Sequence, residues 1–158
     1  MQKKVVILCG ASGSGKSTYA RKVASGYNTL PGFRASIDSA DDYFYVNGEY
    51  RFDPSKLPQA HAQCLCRFNE KVRTDSPAHV DLGWLLIVDN TNTTVAEIAP
   101  YAALALAYGF ELEIVIFGGT FSNVHGVPPL AVARQRENIA GLRKQLPPWW
   151  PVRLADND

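Results

Sequence analysis

Apolar positions recur in two rhythms along this chain. Val5–Cys9, Phe33–Asp38, Trp84–Asp89 and Glu111–Phe117 are short runs rich in β-branched and aromatic residues, and they predict strands. The segments between them carry the 3.6-residue period of amphipathic helices. One helix is expected from about Lys16 to near Gly26, one over 57–74, one from Thr94 to Gly109, and one over 129–146. In the second of these, Leu57, His61, Cys64, Leu65, Phe68 and Val72 share a face. Thr94 and Glu97 have the spacing of a capping box, Pro100 predicts a kink, and Gly109 a stop. Residues 118–127 read as a loop, and Pro151–Leu154 as an edge strand. Strands alternating with helices predict βαβ units, hence an α/β fold with a parallel sheet of about five strands and a C-terminal helix.

Length and composition keep that picture simple. A chain of 158 residues, 46% hydrophobic and 20% charged, is expected to form a single domain over 1–158. No apolar run approaches the ~20 residues that span a bilayer, so no membrane partner is expected. Lys3 and Lys4 precede an apolar run that ends at Cys9, too short for a signal peptide. Cys9 reads as core. Cys64 and Cys66 lack a second ligand pair at zinc spacing, so reduced thiols in a cytoplasmic protein are expected. The net charge of +1 hides a segregation. Residues 1–22 and 134–153 are basic, whereas 34–53 hold five acids against two arginines.

The first candidate chemistry lies between the first strand and the first helix. Gly10-Ala-Ser12-Gly13-Ser14-Gly15-Lys16-Ser17 matches the phosphate-binding loop G-x-x-x-x-G-K-[ST]. Its glycines let successive N–H groups converge on phosphate oxygens, and the helix N-terminus adds a favourable dipole. Lys16 is expected on the β- and γ-phosphates of ATP and Ser17 on Mg²⁺, with Thr18 continuing the contact surface. Together with the strand pattern, this predicts a three-layer P-loop NTPase fold.

Two further segments bear on the reaction. Asp41-Asp42-Tyr43-Phe44 follows the second strand, and ligands bind at the carboxyl ends of strands in open α/β sheets. An Asp there can accept the proton of an attacking hydroxyl, with Asp41 preferred; the other reading is a helix cap. Leu85–Asp89 is an apolar strand ending in a carboxylate, the pattern that places an Asp near Mg²⁺; otherwise Asp89 only opens the loop.

These residues resemble a family. Gly10–Ser17, Asp41–Phe44, Ala60-His61, Val88–Thr93 and His125–Pro128 together look like the P-loop polynucleotide 5′-hydroxyl kinases of phage and the related eukaryotic kinase modules. The resemblance covers Val5 to about Asn138. It implies transfer of the ATP γ-phosphate to a 5′-hydroxyl of RNA or DNA, with Asp41 as general base. It also implies a lid helix whose arginines stabilise the phosphoryl group, and Arg134 and Arg136 occupy that place. The phage pattern has Arg where this chain has Phe44, a position at which the eukaryotic modules look similar to it.

Other signals are less directed. His61 lies on the apolar stripe and reads as a core histidine. His125 is expected near the adenine or as a cap. Tyr43, Phe44, Tyr45, Tyr50 and Phe52 cluster near Arg51 and suit either base stacking or core packing. Trp149 and Trp150 among prolines read as a packed clasp or a contact surface. A kinase of a small metabolite or antibiotic hydroxyl, and an ATP-sensing module without transfer activity, remain the alternatives.

Overall fold

The computed structural model describes residues 1–74, 82–119 and 126–155. Strand β1 (Gln2–Gly10) leads into helix α1 (Lys16–Asn28) and strand β2 (Phe33–Asp38). A 3-10 turn over Ala40–Phe44 is followed by two short strands, β3 (Tyr45–Val46) and β4 (Glu49–Tyr50). Then come α2 (Leu57–Arg73), β5 (Gly83–Asp89), α3 (Val95–Ala107), β6 (Glu111–Phe117), α4 (Pro129–Gln145) and β7 (Val152–Leu154). The main sheet has the order β2-β5-β1-β6-β7, with every neighbour parallel.

Parallel strands are covered on both faces, and the period-2 alternation of β1 shows how. Val5, Ile7 and Cys9 enter one core with Phe68 and Val72 of α2, Ile98 and Ala102 of α3, and Ile139 and Leu142 of α4. Val6 and Leu8 enter the other with Ala20 and Ala24 of α1. The result is three layers, α1 on one side and α2, α3 and α4 on the other.

Register sets the position of the site. β1 is central, and it pairs Leu8 with Asp89 and Gly10 with Phe117. β2 pairs Asp38 with Val88. Gly10, Asp89 and Asp38 therefore meet at one edge of the sheet, where the strands end.

Several sequence expectations need adjustment. α1 runs two residues past Gly26 to Asn28. His61 is exposed, and so is Leu57; Ala60, Cys64, Phe68 and Val72 carry the buried face of α2 instead. The α3 capping box is offset. The Thr94 hydroxyl accepts from the Glu97 N–H at 3.3 Å, but Glu97 closes back on the Thr93 N–H at 2.7 Å. Trp150 packs against the larger core, whereas Trp149 is 76% exposed. His125 lies outside the described residues. Among those residues, no helix is long and apolar enough to cross a membrane.

Candidate phosphate-binding and transfer site

The loop after β1 is built as the motif requires. Gly13 and Gly15 sit at φ 79° and 95°, where a side chain would strain the backbone. Gly10 is glycine for a different reason: an added Cβ would lie 2.5 Å from the Ser14 Oγ and 3.0 Å from the Phe117 Cβ. Lys16 is buried at the start of α1, and its ammonium donates to the Ala11 carbonyl at 3.0 Å and the Ser14 Oγ at 3.4 Å. Burial pushes its pKa down, opposed by the nearby carboxylates Asp89 and Asp41.

The loop after β5 buttresses this cradle. The Gly10 N–H donates to the Thr91 carbonyl at 2.8 Å. Asn92, in the left-handed region at φ 44°, donates from Nδ2 to the Leu8 carbonyl at 2.8 Å. Asn90 accepts from the Ala40 N–H at 2.8 Å and donates to the Cys64 Sγ at 3.6 Å. The two asparagines thus fasten the phosphate loop and the Asp41 turn to one strand end.

Asp89 is 8% exposed and accepts a hydrogen bond from the Ser17 hydroxyl. Burial pushes its pKa up, more than Ser17 and Lys16 pull it down. An anion held at such a cost beside a hydroxyl suits Mg²⁺, which uses one or two protein oxygens and completes its shell with water and phosphate. Among the described residues there is no cluster of three or more His, Cys, Asp or Glu to hold a metal without a phosphate ligand.

Asp41 enters from the opposite wall. Its 3-10 turn is capped by the Ser39 hydroxyl, which accepts from the Asp41 N–H at 3.2 Å. The Tyr50 hydroxyl donates to Asp41 Oδ1 at 3.4 Å, and burial, reinforced by Asp41, pushes the Tyr50 pKa up to about 12. Sequence reading missed the support behind this turn. Arg67 of α2 donates from Nη2 to the Ser39 carbonyl at 3.1 Å and lies 3.6 Å from Asp42 and 3.9 Å from Asp38. Lys71 pairs with the buried Asp38 at 2.8 Å. The only signal in the sequence was a pair of cations four apart on the polar side of α2. Burial raises the Asp42 pKa against the pull of Arg67, so Asp42 belongs to this brace as well as to the cavity rim.

A cavity of about 1960 Å³ unites these groups. Ser12–Tyr19, Asp41, Asp42, Asp89, Phe117–Gly119 and Arg153 line it. Arg134 and Arg136 are exposed on α4 and are not among the lining residues. The residue between them makes the contact instead. Gln135 Oε1 accepts from the Ser12 N–H at 2.9 Å, so α4 touches the phosphate loop through a neutral side chain.

The fold and this edge of the sheet define a P-loop domain. A model of the AAA domain family matches residues 5–120, and the chain belongs to that family. It is 36% identical over 109 residues to human NEDD4-binding protein 2, a match covering 68% of this chain and 5% of that protein. The chain therefore spans a small fraction of that relative. Among solved structures it is similar to Mycobacterium tuberculosis APS kinase CysC in complex with AMPPNP and APS, with 19% identity, TM-score 0.53, and 99% and 91% of the two chains covered. It is also similar to Chaetomium thermophilum Kti12 in complex with ADP-AlF3, with 17% identity, TM-score 0.55, and 98% and 89% covered. At these identities the structural likeness speaks for the fold.

Proposed function

We propose that this chain transfers the γ-phosphate of ATP to a 5′-hydroxyl of RNA or DNA. The observation that carries the reading is Asp41, presented to the cavity opposite Lys16, Ser17 and Asp89. A proton acceptor facing a phosphate cradle suits transfer to a hydroxyl rather than nucleotide storage. The cavity joins the phosphate loop to Asp41 and Tyr45, so ATP and the acceptor would share it. The resemblance of the Asp41–Phe44 and Val88–Thr93 segments to the polynucleotide 5′-hydroxyl kinases favours the same substrate class.

In this reading the Gly10–Ser17 loop and Lys16 hold the β- and γ-phosphate oxygens, with Thr18 at the start of the same helix. The acceptor oxygen bonds to the γ-phosphorus as the bond to the β-phosphate oxygen breaks, ADP leaves, and the hydroxyl proton passes to Asp41. Ser17 and Asp89 would hold Mg²⁺, which supplies charge neutralisation between the phosphates. Arg134 and Arg136 are exposed on α4 on either side of Gln135, which touches the phosphate loop, and we assign them to the phosphoryl group in the substrate complex.

Labelled-ATP transfer to 5′-hydroxyl oligonucleotides, run beside a panel of small hydroxyl compounds, tests the reading. Label on the oligonucleotide 5′ end is expected. Transfer to small hydroxyl compounds alone would replace the acceptor class, and no transfer at all would leave a nucleotide-binding module.

A further inference from the structure

The β3–β4 hairpin takes no part in the steps above, yet it stands beside the proton acceptor. Asn47 and Gly48 have φ 52° and 80°, the positive pair that closes a tight two-residue hairpin. Tyr45 and Tyr50 are cross-strand partners, their rings 5.1 Å apart and tilted by 54°. Tyr50 is braced from behind: its hydroxyl reaches Asp41, and its ring meets Phe44 at 6.3 Å and Phe52 at 6.4 Å. Phe44 in turn is 2% exposed in the larger core. Tyr45 lies at the outer end of this chain of rings. It is 51% exposed and lines the same cavity as Asp41 and Lys16.

We propose that Tyr45 is the platform on which the acceptor's terminal nucleobase stacks, and that it makes the site select a hydroxyl borne by a nucleotide. This rests on the phosphotransfer reading and adds the residue that recognises the acceptor. A rigid aromatic face beside the reacting position suits a nucleobase, because every base has a π-face to stack. Charge argues the same way. Arg51 is the only cation in residues 40–53, and it is paired with Glu49 at 2.8 Å. Asp41, Asp42, Glu49 and Asp53 make this wall acidic, so it grips by stacking and not by attracting phosphates. A contact of that kind contributes little to salt dependence, unlike a lysine or arginine on the backbone. The link through Tyr50 also places the base platform and the proton acceptor on one braced unit.

The experiment compares two 5′-hydroxyl oligonucleotides that differ only at the first residue, one with its base and one abasic. Both carry the same phosphates and the same reacting hydroxyl. Wild type is expected to prefer the base-bearing acceptor by about 5- to 150-fold in kcat/KM, the range of one base–aromatic stack. The preference should be equal at low and moderate salt. Tyr45→Ala should abolish it by lowering kcat/KM for the base-bearing oligonucleotide while sparing the abasic one, and Tyr45→Phe should restore it. An equal preference in wild type and Tyr45→Ala, or none in wild type, overturns the assignment of Tyr45 while transfer itself stands. Wild type that labels neither oligonucleotide overturns the phosphotransfer reading and this inference with it. Thermal melting of each variant, with Tyr45→Phe as the conservative control, separates lost recognition from lost folding.

Discussion

Asp89→Asn should make the protein more stable and less able to use magnesium. Asp89 is 8% exposed, and burial raises its pKa despite the Ser17 hydroxyl and Lys16 beside it. The folded state thus takes up a proton at a pH where the unfolded chain has lost it. The cost of holding the anion is absent below the unfolded value of 3.8, grows up to the raised value, and is constant above it. Each unit of lift is worth about 1.4 kcal/mol. A domain of this size moves by about 2–4 °C per kcal/mol, so each unit predicts a gain of about 3–6 °C for the asparagine. The amide oxygen can still accept from Ser17, and residue 89 lines the cavity. Melting curves at pH 7.5 in EDTA should therefore show Asp89→Asn above wild type, with the gap closing as pH falls toward 4. Added Mg²⁺ and ATP should raise wild type and move the variant far less. A variant that melts below wild type at pH 7.5 without metal would refute the reasoning, because Asp89 would then be a net stabilising partner of Lys16.

Asp41→Asn should lower transfer by about 10²–10⁴-fold, the usual worth of a positioned base, while equilibrium ATP binding is retained; near-normal transfer would move the role to Asp42. Gly10→Ala drives a Cβ to 2.5 Å from the Ser14 Oγ, and ~1–3 kcal/mol of overpacking at about 2–4 °C per kcal/mol predicts a melting temperature lower by about 2–12 °C, read by calorimetry. Arg134→Ala should reduce kcat far more than ATP affinity, toward the ~10³-fold or greater loss known for phosphoryl-stabilising arginines, with Arg136→Ala milder. Normal kcat in both variants would remove α4 from the transfer step.

The pattern of apolar positions was sufficient for the sheet because buried parallel strands leave a short continuous signature. Phe33–Asp38 and Glu111–Phe117 occur with the bounds that pattern suggests. The phosphate loop was equally plain, since its glycines are demanded by backbone geometry within a few residues. What could not be read was anything set by contacts between distant segments. Asn90 and Asn92 carry no sequence sign that one holds Ala40 and the other Leu8. Arg67 and Lys71 look like ordinary surface cations until β2 delivers Asp38 beneath them. His61 falls on the right helical stripe, yet the face turns so that Ala60 is buried in its place. On α4 the charges drew attention to Arg134 and Arg136, but the neutral Gln135 makes the contact with the loop.

The far wall of the cavity has a consequence for how the protein folds. The phosphate loop itself is carried by β1 and α1, which are neighbours in sequence, and the loop after β5 buttresses it. The side lined by Arg153 is different. Arg153 donates to the Tyr19 hydroxyl at 2.6 Å across 134 positions and pairs with Glu113 at 2.6 Å. Contacts of that span are slow to form, because a long loop must close before any of them is rewarded. The cradle and its β5 support can therefore take shape before the wall that Arg153 and Ala155 complete, which waits for β7 to add to β6. Between those two events the folding chain presents phosphate-binding amides with one side of the pocket missing.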